Sequence, residues 1–141
     1  MKRFVFAVAL ALTTAPALAA EHVVKMLNQG SDGTRMAFEP SLVRASVGDT
    51  VLFIPSDGGH ATTSVIVPDG GVPWEAPLNS EVRITVTAPG VYLFKSRPHF
   101  AVGMIGMIVV DDPNTNRSAI DGFKPRGSLM RKRFEALKGQ L

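Results

Sequence analysis

The chain has 141 residues, 15 basic and 12 acidic side chains, and no cysteine. The absent cysteine excludes a disulfide framework and any thiolate chemistry. The charge is close to balanced once the first residues are set aside. Without residues 1–19, which carry Lys2 and Arg3, 122 residues remain with 13 basic against 12 acidic groups, which gives no support for a nucleic-acid partner.

Lys2 and Arg3 precede an unbroken apolar run from Phe4 to Leu12, and Ala17-Leu18-Ala19 offers small residues where a signal peptidase reads them. This order predicts a secretory signal peptide over residues 1–19, with cleavage after Ala19 and an alternative after Ala20. The apolar run falls short of the ~20 residues of a membrane span, so the processed chain is expected to be free of the membrane.

The body reads as short strands between turn signals. His22–Leu27 is apolar and β-compatible, and Asn28–Thr34 is a turn-rich link. Met36–Phe38 and Leu42–Ala45 are brief strands divided by Glu39-Pro40. Gly48-Asp49 has the look of a hairpin turn before Thr50–Ile54, which Pro55 stops. Ser56–Gly59 is a loop, Ala61–Val67 a β-branched strand, and Pro68–Asn79 a Gly- and Pro-rich loop carrying the single tryptophan, Trp74. Glu81–Thr87 alternates, with Val82, Ile84 and Val86 on one face. Pro89-Gly90 turns into the last two strands, Val91–Lys95 and Ile105–Val110. Runs this short, regularly punctuated, predict an all-β antiparallel sandwich or barrel.

Beyond Asp111-Asp112-Pro113 the character changes. Asn116–Gly122 predicts one short helix. Ser128 is the expected N-cap of a second, in which Met130, Phe134, Leu137 and Leu141 recur at helical spacing and Arg131 can pair with Glu135. The expected organisation is therefore 1–19 signal, 20–112 sandwich, and 113–141 a helical extension packed on it. Asn116-Arg117-Ser118 fits a glycosylation sequon too short to carry weight.

The chemistry concentrates in the stretch from Tyr92 to Met104. A strand delivers the chain to a loop at Ser96, the loop carries His99 and Met104, and another strand leaves at Ile105. His60 follows an upstream loop. Imidazole and thioether are donors for a soft metal, and two His, one Cys thiolate and a weak axial Met make the blue-copper pattern. Here Ser96 stands where a thiolate would be. Taken singly, each of these residues reads as surface or core. Their arrangement in one loop between two strands, with an upstream His, makes His60, His99 and Met104 candidate metal ligands.

Over nearly the whole chain after the signal, the sequence resembles the pseudoazurin branch of the cupredoxins. The resemblance is carried by Val24-Lys-Met-Leu-Asn-Gln-Gly, Phe38-Glu-Pro, Val47-Gly-Asp-Thr-Val-Leu-Phe-Ile-Pro, Gly59-His60, Pro89-Gly-Val-Tyr, Pro98-His99 and Gly103-Met-Ile-Gly-Met-Ile108, together with the two C-terminal helices. It implies a cupredoxin-like Greek-key sandwich of about eight strands. It also implies one copper ion per monomer, a periplasmic location and a one-electron carrier serving a redox partner protein, such as a copper nitrite reductase or a cytochrome. Lys95, Arg97, Arg35 and the basic C-terminal helix are candidates for guiding such a partner, though a solvated face suits the helix charges better.

The departures from the family fall at the site. The family has Cys at the position of Ser96, usually Asn at that of Ala61, where it ties the ligand loops together, and commonly Thr at that of Arg97. His60, His99 and Met104 therefore carry over as ligands, and Ser96 carries over in position only, as a weak donor or none. Two altered positions in one site favour a changed role over an isolated substitution. Weaker copper binding, no intense blue colour and slower electron transfer are expected, with a non-redox copper carrier or buffer, or a metal-free interaction module, as alternatives. An enzyme is the weakest reading, since no nucleophile, base and orienting group come together.

Overall fold

The computed structural model describes residues 17–141. Most of the predicted signal segment lies outside the described residues. Among them, no helix is long and apolar enough to cross a membrane.

Eight strands form: β1 (Glu21–Gln29), β2 (Arg35–Glu39), β3 (Leu42–Ala45), β4 (Thr50–Pro55), β5 (Thr63–Ile66), β6 (Val82–Thr85), β7 (Gly90–Lys95) and β8 (Ile105–Val110). They build two four-stranded sheets, ordered β2-β1-β4-β6 and β3-β8-β7-β5. The pairing is not wholly antiparallel as the strand pattern suggests. β1 runs parallel to β4, from Glu21 opposite Thr50 to Met26 opposite Pro55, and β3 runs parallel to β8. The cause is that the chain changes sheet between β2 and β3 and again between β3 and β4. Gly48-Asp49 is accordingly a corner between sheets and not a hairpin.

Asp49 builds that corner. It is nearly buried, at 7 % exposure. Its carboxylate accepts from the backbone N–H of Ser46 and of Ala20 and from His22 Nε2, each at 2.9 Å. The bond from Ser46, then those from His22 and Ala20, hold its pKa down at about 2. The bond to Asp49 leaves His22 half-buried.

The space between the sheets is filled from the inward positions of each strand. Phe38, Phe53 and Phe94 meet edge to face, with Phe94 centroids 4.8 Å from Phe38 and 5.0 Å from Phe53. Gly106 makes this possible. A Cβ there would collide with the Phe94 ring and lie 2.8 Å from the Ser41 carbonyl oxygen, so the ring packs against bare backbone.

Every residue of β8 is buried. One face points between the sheets. The other lies under two helices, α1 (Arg117–Gly122) and α2 (Ser128–Lys138), which bring Ile120, Met130, Phe134 and Leu137 onto Val91, Leu93, Ile105 and Met107. Burial on both faces explains why β7 and β8 read as continuous apolar runs.

Details of this region differ from the sequence expectation. A 3-10 turn, Pro113–Asn116, precedes α1. Gly127, at φ +76°, is the N-cap of α2, and Ser128 is its first residue. The predicted Arg131–Glu135 pair does not form among the described residues. The ion pairs here are instead Asp121 with Lys138 at 2.9 Å and with Arg117 at 3.3 Å. The Asn116 amide is occupied: it accepts from Val91 N at 2.8 Å and donates to Val91 O at 2.9 Å.

Candidate metal centre

β4 ends at Pro55 and hands the chain to a short loop that turns at Gly59, φ +89°. Two contacts anchor the loop's end: Gly59 N–H donates to Asn79 Oδ1 at 2.6 Å, and Asn79 N–H donates to the His60 carbonyl at 2.7 Å. His60 is thereby driven inward, with no exposed surface.

The His60 ring nitrogens then have distinct fates. Nε2 lies 3.0 Å from Asn28 Oδ1, an acceptor, so Nε2 carries the proton and donates it. Asn28 is itself held through its backbone N–H, which donates to Asp57 Oδ2 at 2.7 Å. Nδ1 is left as a bare lone pair, buried and without any hydrogen-bond partner. Burial, and secondarily the neighbouring His99 imidazole, push the His60 pKa down against an opposing pull from Asp57. The neutral imidazole is therefore the form the fold selects.

The His99 ring lies beside that of His60, with centroids 4.8 Å apart at 53°. It sits in the 3-10 segment Arg97–Val102 that joins β7 to β8. This loop closes on itself through three backbone bonds: Ser96 N–H to Met104 O at 2.9 Å, His99 N–H to Ser96 O at 3.1 Å, and Met104 N–H to His99 O at 3.1 Å. Ser96, His99 and Met104 are thus held as one unit. Ser96 and Met104 have no exposed surface, while His99 is half-buried and reaches the surface beside exposed Pro98, Ala101 and Val102. Ser96 Oγ and His99 Nδ1 are 3.4 Å apart, a weak contact.

The loop is also fixed from outside. Gly103, at φ +80°, lies against α2 so closely that a Cβ would sit 3.0 Å from Met130 Cα. Arg133 of α2 donates to the carbonyls of Gly103, at 3.0 Å, and of Met36, at 2.9 Å, and also to that of Arg35.

Ala61 is fully buried and offers no polar tie between the loops. Two of the charges proposed to guide a partner are engaged locally: Arg97 pairs with Glu75, and Lys95 Nζ lies 4.5 Å over the Phe100 ring. Sequence reasoning passed over Asn28, Asn79 and Arg133.

At one pole of the sandwich two imidazoles lie side by side with a hydroxyl against one of them, and Met104, joined to the same loop through its backbone, packs into the core between the sheets. A family model described as copper-binding proteins of the plastocyanin/azurin type matches residues 24–111. The chain belongs to that family. Within it the resemblance is to pseudoazurins. The chain is 42% identical over 115 residues to pseudoazurin from Paracoccus pantotrophus, covering 80% of this chain and 79% of the relative. It is 37% identical over 135 residues to a putative pseudoazurin from Rhizobium leguminosarum, covering 94% and 88%. The crystal structure of pseudoazurin from Methylobacterium extorquens AM1 superposes with a TM-score of 0.80 at 36% identity, covering 85% of this chain and 98% of that one. The family is one of copper-binding, electron-transfer proteins. The chain has no cysteine.

Proposed function

We propose that this protein is an exported, periplasmic copper-binding protein of the pseudoazurin type whose site operates without a thiolate. Residues 1–19 are its signal, 20–112 the sandwich and 113–141 the helical extension. His60, His99 and Met104 are the copper ligands. Ser96 lines the pocket at the position of the family's cysteine.

The observation that carries this reading is the His60 ring. A fully buried nitrogen lone pair without a partner is costly in a folded interior, and such groups ask for an explanation. A bound cation supplies one. Asn28 fixes the tautomer that presents Nδ1, as outer-shell partners of metal-binding histidines do. When bound, copper supplies one-electron exchange. The chain's own residues do the rest: His60 and Met104 hold the buried side, half-buried His99 forms the edge toward a redox partner, and the loop's internal bonds limit rearrangement.

Ser96 sets what this centre can do. A cysteine titrates near ~8.5 and binds metal as thiolate. Serine stays a neutral hydroxyl, a hard and weak donor. The remaining set of neutral imidazoles and a thioether suits Cu(I), whereas Cu(II) prefers added oxygen in a tetragonal arrangement. That donor chemistry favours a second reading, a Cu(I) carrier or buffer that does not cycle. Titration of the apo-protein with Cu(I) and Cu(II), with affinity, visible spectrum and reduction potential recorded, separates the readings. Reversible reduction at a useful potential supports electron transfer to a redox partner such as a nitrite reductase or a cytochrome. Tight Cu(I) binding without it supports the carrier. An intense thiolate-type band, or no binding of either ion, overturns the proposal.

A further inference from the structure

The amino-terminal end of the chain holds a second group of nitrogen donors, remote in sequence from the sandwich pole. We propose that the processed terminus Ala20-Glu21-His22 is a separate square-planar site for Cu(II) or Ni(II). The inference rests on cleavage after Ala19, as proposed above. Cleavage there leaves a free α-amine on Ala20 with histidine as the third residue. Such a terminus can offer the α-amine, the amide nitrogens of Glu21 and His22, and His22 Nδ1 to one ion in a plane. Planar nitrogen sets are the preference of Cu(II) and Ni(II).

The structure already gathers the two ends of this chelate. One carboxylate holds both: Asp49 Oδ1 is 2.9 Å from Ala20 N, and Asp49 Oδ2 is 2.9 Å from His22 Nε2. The imidazole therefore bonds to protein through Nε2 and leaves Nδ1, the nitrogen that closes a ring with its own backbone amide. An Nε2–H donated to a carboxylate is also the arrangement that orients metal-binding histidines.

Access and release are built in. Ala20 and Glu21 are exposed, and the His22 side chain is 28% exposed. Near its start β1 pairs with β4 alone, because β2 joins only from Lys25 onward. Glu21 and His22 can leave Thr50 and Val51 without breaking a second ladder. The charge balances. The ammonium and the two amides each release one proton, the two amidates neutralise the divalent ion, and the imidazole stays neutral. Binding therefore weakens as pH falls.

The test uses protein exported with its own signal, its amino terminus fixed by mass, and titrated with Ni(II) at neutral pH. Expected is one Ni(II) per chain with the spin-paired yellow absorption of a planar nitrogen complex. His60→Ala should leave it unchanged. His22→Ala should abolish it, as should one glycine inserted after Ala20, which keeps the imidazole but moves it to fourth place. A mass that begins at Ala20 with no such complex, or with one that survives both changes, overturns the site itself. A mass that begins at Glu21 overturns it through the cleavage reading instead.

Discussion

Replacing Asn28 with leucine separates a metal centre from a merely buried histidine. His60 has no exposed surface, and its Nε2–H is donated to Asn28 Oδ1 at 3.0 Å. Leucine is close to asparagine in shape, so it removes the acceptor without opening room for water. Asn28 stays anchored, because its bond to Asp57 runs through the backbone. Two courses remain for His60. It keeps its proton on Nε2, now unpaired in the interior at a cost of about 1–3 kcal/mol. Or the proton moves to Nδ1, which has no partner either and then gives up the lone pair a metal would need. In both cases copper binding suffers. Loss of an outer-shell partner typically lowers metal affinity ~10–100-fold, which corresponds to about 1.4–2.8 kcal/mol. The two magnitudes agree, so the tautomer term alone accounts for the expected loss. The assay is competition for Cu(I) against a chromophoric chelator, run beside urea unfolding of the apo-protein. Asn28→Asp keeps an acceptor and should retain binding. An Asn28→Leu protein that folds and binds Cu(I) as tightly as its parent refutes the reasoning.

Arg133→Met keeps the apolar stem and deletes the bonds to the carbonyls of Arg35, Met36 and Gly103. Stability should fall by about 2–4 kcal/mol in urea unfolding, since these are charged donors with partial access to water. The apo-protein should lose stability in mild acid. The folded His60 pKa lies below its ordinary 6.5, so the unfolded chain takes up protons first. The contribution is present above about 6.5 and declines as pH falls below it. Urea midpoints from pH 7.5 to 5 check this, and His60→Gln should flatten the slope. Ser96→Cys places a thiolate beside His99 in a fully buried position. Addition of Cu(II) should then produce an intense visible band, and its absence would show that the pole cannot hold a blue-copper centre.

The strands were legible because their determinants are local. Leu42–Ala45 and Ile105–Val110 form strands with the bounds their sequence predicts, set between prolines, glycines and charged turns. The path between them was not legible. Gly48-Asp49 reads as a hairpin, and only the carboxylate of Asp49, collecting bonds from Ser46, Ala20 and His22, shows why the chain crosses to the other sheet. Ser128 was an N-cap by type, but Gly127 at φ +76° turns the chain one residue earlier. Residue type and loop spacing name His60, Ser96, His99 and Met104 as candidates, and the structure sets His60 beside His99 and Ser96 against His99. The supports of the site were not legible. Asn28 lies 32 positions from His60 and Arg133 lies 30 from Gly103, and nothing local in the sequence announces contacts of that range.

The close seat of Gly103 on α2 has a consequence for how this centre can change over time. The segment from Ser96 to Met104 is pinned at its far end against a helix backbone, where a Cβ on Gly103 would sit 3.0 Å from Met130 Cα. Its length is therefore not free. A donor can be exchanged for another of similar size, as serine for cysteine, at little expense to the surrounding sheet. Adding or removing a residue would push the chain into Met130 or pull it off Arg133. Drift at this pole should run through substitution and not through insertion, and a loop of different length grafted from another copper protein should take only if α2 is redesigned with it.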